Sequence, residues 1–64
     1  MKRLDLLKHL EAHGCHFIRE GGNHTWYGNP TTKRKSTLPR HREIDPYLAR
    51  KICRDLGIPE PTKK

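Results

Sequence analysis

His24 is the side chain in this sequence best placed to move a proton. It follows Gly21, Gly22 and Asn23, which tolerate positive φ and mark a tight turn. It also opens a run of Thr25, Trp26 and Tyr27 that reads as a strand. An imidazole held at a hairpin shoulder gains or loses a proton near neutral pH. Between Lys33 and Arg54 the chain carries Lys33, Arg34, Lys35, Arg40, Arg42, Arg50, Lys51 and Arg54 against only two acids, Glu43 and Asp45. A proton-transfer group beside clustered cations suits chemistry on a polyanion, with RNA the first candidate.

RNA brings its own nucleophile, the 2′-OH beside each phosphate. A protein need only take that proton, align the attack and stabilise the charge developing on phosphorus, none of which requires a metal. His24 suits the role of general base, or of acid toward the leaving 5′ oxygen, and His41 is a second histidine that could share the work. Arg40 and Arg42 flank His41 in a compact cationic loop suited to phosphate contact, and Lys33, Arg34 and Lys35 suit contacts along the RNA backbone. Taken alone, these residues also have plainer readings. His24 would bond its own turn, the Arg40 loop would be solvated or paired with Glu43 and Asp45, and the Lys33 run would be edge charges that deter aggregation.

The elements that must hold this chemistry are few. A chain of 64 residues is one domain with a small core, so a site on it is a shallow surface. The net charge of +7 is concentrated in the segment just described. Cys15 and Cys53 are far apart and form no CxxC pair, and neither they nor the five histidines follow a usual zinc-ligand spacing. No metal or cofactor is expected. Both cysteines read as free thiols in the core, consistent with a reducing cytoplasm. No signal peptide or membrane-spanning stretch is legible.

Residues Leu4 to His13 predict a helix with an apolar stripe of Leu4, Leu7 and Leu10, Leu6 beside them, stopped by Gly14. Cys15 to Glu20 predicts a strand with Phe17 and Ile18 on opposite faces. After the Gly21-Gly22-Asn23 turn, His24 to Gly28 predicts a second strand. Asn29-Pro30-Thr31-Thr32 is a second turn, and Lys33 to Leu38 a third strand ended by Pro39. Asp45 and Pro46 are an N-cap and first helical residue; Leu48, Ile52 and Leu56 recur every four residues, and Gly57 closes the helix. The pattern is α+β in the order α-β-β-β-α. Two amphipathic helices bury their stripes most economically on one face of a three-stranded antiparallel sheet, leaving the other face open. Trp26 is assigned to the core and Tyr27 to the surface. Alternation then carries His24 inward with Trp26 unless a bulge intervenes near Gly21 and Gly22.

Gly22-Asn23-His24, preceded by Phe17-Ile18-Arg19 and followed by Trp26-Tyr27, resembles a motif of the HicA toxins. Thr37-Leu38-Pro39-Arg40-His41 is similar to that family's second motif, a strand ending in Pro-Arg-His before the last helix. The resemblance covers about residues 4 to 58. It implies a single domain over residues 1–58 with a flexible polar tail over 59–64, and a fold like the double-stranded RNA-binding domain. It further implies a toxin that cleaves mRNA with His24 as catalytic residue, supported by Gly22 and Asn23, and a HicB-like antitoxin that covers the site. The commonest form of the motif has Ser where this chain has Asn23. Two other readings compete: a non-catalytic double-stranded RNA-binding module, and an adaptor whose basic face docks an acidic protein.

Overall fold

Local signals set the element boundaries. The structure, a computed structural model, describes residues 1–61. Along these run α1 (Arg3–Ala12), β1 (His16–Gly21), β2 (His24–Asn29), β3 (Arg34–Pro39) and α2 (Pro46–Leu56). Gly22 and Asn23 form a two-residue hairpin turn with Gly21 opposite His24. Positive φ at Gly22, and not at Asn23, is the pattern of a type II′ turn, whose twist matches that of the strands it joins. The sheet is antiparallel in the order β1-β2-β3. α2 starts as its sequence demands: the Asp45 side chain accepts from the Tyr47 amide at 2.9 Å, and Pro46 occupies the first turn. It ends at left-handed Gly57, where the Gly57 and Ile58 amides donate to the Arg54 and Cys53 carbonyls.

Both helices bury their apolar residues with one face of the sheet. Leu6 and Leu10 of α1, Tyr27 and Leu38 of the sheet, and Ala49, Ile52, Cys53 and Leu56 of α2 share a single core. This is an α+β layering, with two helices on one face of a three-stranded antiparallel sheet. On α1 the stripe is Leu6 and Leu10, one turn apart, with Leu7 partly buried. Leu4, expected in the stripe, is 68 % exposed, because four leucines within seven positions cover more of the helix than one sheet face can bury. β3 begins at Arg34 rather than Lys33. Lys33 stays in the turn with φ +62 and donates its amide to the Asn29 carbonyl at 2.7 Å.

The two aromatic assignments are reversed. Tyr27 is 5 % exposed and belongs to the core, while Trp26 is half-buried on the open face. Tyr27 reaches α1, where its hydroxyl donates to the Glu11 carboxylate at 3.4 Å. Burial first, and then the Glu11 charge, raises its pKa. Cys15 and Cys53 are buried free thiols. Burial, then the neighbouring Cys15 and Glu60, pushes Cys53 up to about 11, and burial also raises Cys15, so both stay protonated at neutral pH.

Asn29 ties the β2–β3 turn to the end of α2. Its amide donates to the Leu56 carbonyl at 2.8 Å, and its side-chain oxygen accepts from the Thr31 amide at 3.0 Å. Thr32 reaches the same Leu56 carbonyl at 3.0 Å. Asn29→Ala removes two bonds at a site only 4 % exposed, and is expected to cost about 1–2 kcal/mol. In a domain of this size that lowers the melting temperature by several degrees in a thermal melt; an unchanged melt would show that this tie contributes nothing. Of the tail assigned to residues 59–64, the Pro59 carbonyl is bonded by the His9 ring at 2.8 Å, and residues 62–64 lie outside the described residues.

Candidate active site on the open face of the sheet

Strand parity decides where His24 points. Thr25, Tyr27 and Asn29 are buried toward the helices, so His24 and Trp26 share the opposite face of β2. Alternation had tied His24 to Trp26. That tie holds, but both residues lie on the open side, and His24 is exposed.

The regular hairpin register sets a cation on the same face, and a bulge in β1 adds an apolar side chain to it. Phe17 pairs with Tyr27 and Arg19 with Trp26, so Ile18 is an extra residue in the strand. Phe17 and Glu20 keep to the helix side, the Phe17 ring edge-on to Tyr27 and Glu20 bonded to Thr25. Ile18 and Arg19, although consecutive, both face the open side, Ile18 against Gly28 and Arg19 over the Trp26 ring with its guanidinium carbon 5.3 Å from the centroid. Re-aiming a side chain is what a bulge does. The guanidinium also reaches toward the turn: a Cβ placed on Gly21 would sit 2.8 Å from an Arg19 terminal nitrogen and 3.1 Å from the Trp26 indole nitrogen. Gly21 is the residue paired with His24. His24, Arg19 and Trp26 therefore gather at the hairpin end of the open face, with Gly22 and Asn23 exposed beside them. The sequence marks Arg19 only as part of a motif, because a turn over all of Gly21, Gly22 and Asn23 would set Arg19 opposite Thr25 rather than Trp26.

The cationic loop after β3 is pinned beneath this end of the sheet. His24 pairs with Pro39, and Arg40 follows. The Arg3 side chain donates to Thr25 Oγ1 at 2.8 Å and to the Pro39 carbonyl at 3.3 Å. Thr25, 2 % exposed, donates in turn to Glu20 at 2.9 Å, and Arg40 lies 3.8 Å from the other Glu20 oxygen. The Arg3 amide donates to the Arg42 carbonyl at 2.9 Å, and Lys2 bridges to Glu43. A groove of about 620 Å³ results, lined by Lys2, Arg3, Leu4, Arg40, Arg42 and Glu43. Arg40 and Arg42 are thus brought together with each other and with Arg3, which nothing local in the sequence marks because its partners are 22 and 36 residues away. His41 is exposed between them and does not line the groove.

Lys33, Arg34 and Lys35 lie at the far end of the sheet. Lys35 pairs with Gly28, four residues beyond His24, or about 13 Å along the strand. Arg34 pairs with Asn29. The cations of α2 are elsewhere again: Arg50 lies over Tyr47 at 5.6 Å, and Lys51 pairs with Asp55 at 3.1 Å. Among the described residues no three His, Cys, Asp or Glu side chains converge as a metal site would need. No helix among them is long and apolar enough to cross a membrane.

A protein-family model described as the HicA toxin of bacterial toxin–antitoxin systems matches residues 4–58. No curated protein and no solved structure matches the chain. The matched span runs from α1 through the capped end of α2 and includes every element that positions His24. By that match the chain belongs to the HicA family, the toxin half of a toxin–antitoxin pair.

Proposed function

We propose that this toxin is a ribonuclease that cleaves mRNA without a metal ion, with His24 as its proton-transfer residue. The observation that carries the reading is the position of His24: exposed on the open sheet face, at the hairpin end, opposite the glycine over which the Arg19 guanidinium lies. An imidazole must reach the proton it moves, and a cation must reach the phosphate. Both do so on a face that no helix covers.

In the reaction the ribose 2′ oxygen attacks the adjacent phosphorus and the bond from phosphorus to the 5′ oxygen breaks. His24 takes the 2′-OH proton as the new bond forms, or in its protonated form gives a proton to the departing 5′ oxygen; solvent at this open site balances the other transfer. The products are a 2′,3′-cyclic phosphate and a 5′-hydroxyl. Arg19 neutralises charge on the phosphate oxygens. Gly22 sets the turn that presents His24, and the exposed Asn23 amide offers a donor where the family's commoner serine offers a hydroxyl. His41, with Arg40 and Arg42, lies along the route by which the RNA leaves the hairpin end, while Lys33, Arg34 and Lys35 bind its backbone farther on. A HicB-like antitoxin silences the toxin by covering the open face, and the toxin acts in the cytoplasm, where mRNA is exposed to it.

The test is incubation of the purified protein with RNA, with and without a chelator. Cleavage at equal rates in both supports the reading. RNA bound but never cut would establish the double-stranded RNA-binding module instead. An affinity for RNA that does not fall as salt rises would remove the phosphate contacts from the account.

A further inference from the structure

We propose that the far end of the open face holds a base-binding subsite for single-stranded RNA: an apolar floor of Ile18, Gly28 and Pro30 beneath the cations Lys33 and Lys35. It rests on the reading of the His24 face as an RNA-cleaving surface, and assigns the strandedness and path of the substrate.

The floor exists because Gly28 has no side chain. A Cβ there would lie 2.7 Å from Ile18 Cδ1, so only glycine lets Ile18 lie flat across β2. Ile18 reaches this face through the bulge in β1, and it remains 44 % exposed although large and apolar. With Pro30, His16 and the two lysines it lines an open groove of about 380 Å³. A flat apolar surface accepts a base only after that base has left its stack, which favours a single strand over a duplex.

The cations are set for the phosphates that flank such a base. Lys35 pairs with Gly28 and so stands beside the floor. Lys33 lines the same groove from a left-handed backbone, φ +62, which a lysine adopts at some cost and a glycine would not. Glycine would fit that backbone with less strain, and lysine there adds a cation to the residues lining the groove. Strands of RNA running along β2 from this groove reach His24 about 13 Å away, within a few nucleotides. Both ends of the open face then read one chain, its base seated at Ile18 and its scissile phosphate at Arg19 and His24.

The variant Lys33→Gly suits the test, because its backbone already has the conformation glycine prefers and the fold is retained. A fluorescent single-stranded RNA octamer is titrated at low salt into protein carrying His24→Ala, which keeps the RNA intact. Adding Lys33→Gly together with Lys35→Ala is expected to weaken binding about tenfold or more, and adding Ile18→Ala to weaken it several-fold. Lys8→Ala, which removes one charge on α1 against the two removed from the groove, is expected to shift it by less than about twofold. A duplex of the same sequence should compete poorly. Equal losses from Lys8→Ala and the groove variants, no loss from the groove variants, or better binding of the duplex would overturn the subsite. Cleavage by the unaltered protein is read separately. Cutting without groove dependence removes the subsite and leaves the nuclease, whereas groove-dependent binding without cutting removes the nuclease and leaves the subsite.

Discussion

Replacing His24 with alanine is expected to lower the rate of RNA cleavage by about 10²–10⁴-fold and to leave stability within roughly 0.5 kcal/mol. The two halves of this expectation have separate grounds. The rate falls because the imidazole is the group placed to carry a proton on the exposed hairpin end, and alanine cannot carry one. Stability is retained because the side chain is exposed on the open face, outside the hydrophobic core. Gly21 and Pro39, its neighbours in the sheet, are paired with it through the backbone, which the substitution keeps. Rates of cleavage and a thermal melt on the same preparation check both. A variant that cuts at the full rate would remove His24 from the chemistry, and one that loses activity only by unfolding would make it a structural residue.

Arg19→Gln is expected to lower kcat by about 10²–10³-fold, the usual loss when one preorganised donor to a developing negative charge is removed. Arg19→Lys recovers part of it, since lysine keeps the charge but loses the planar fork that grips two phosphate oxygens. Stability changes little in either case. Arg19 is exposed, and its contact over the Trp26 ring is worth roughly 0.5–1 kcal/mol at such a site. Glutamine keeps hydrogen-bonding capacity, so a loss of kcat reports the missing charge more than a missing contact. Steady-state rates for the three proteins on one RNA decide the matter. Equal kcat in all three would place the charge stabilisation elsewhere, with Arg40 and Arg3 the next candidates across the sheet edge.

How much of this was legible depends on how local each signal is. α2 could be read end to end because its start is written in adjacent residues, Asp45 and Pro46, and its stop in Gly57. The hairpin turn was equally plain, since Gly22 supplies the positive φ that a two-residue turn requires. The burial of α1 was not, because Leu4, Leu6, Leu7 and Leu10 encircle the helix and only the position of the sheet selects Leu6 and Leu10. Trp26 and Tyr27 are both large aromatics of opposite parity, so composition cannot rank them. What decides is that Thr25 and Asn29 find hydrogen-bond partners on the helix side, Glu20 and Arg3 for one and the Leu56 carbonyl for the other, and carry Tyr27 inward with them. The extra residue at Ile18 leaves no trace in a period-two pattern, yet it turns Ile18 to the open face; Arg19 stands on the His24 side because the turn takes two residues, Gly22 and Asn23, and not three. Arg3 depends on contacts with Thr25 and Pro39 that only the folded chain creates.

The central claim is that one exposed imidazole beside an arginine breaks RNA through its own 2′-OH. It is tested most directly with end-labelled RNA in excess chelator, compared with the same RNA carrying a single 2′-deoxy nucleotide at the mapped cut site. The account predicts that the protein cuts the first, leaving a 2′,3′-cyclic phosphate, and spares the second at that position. Cutting at the deoxy position, or cutting that stops when metal is removed, would contradict it.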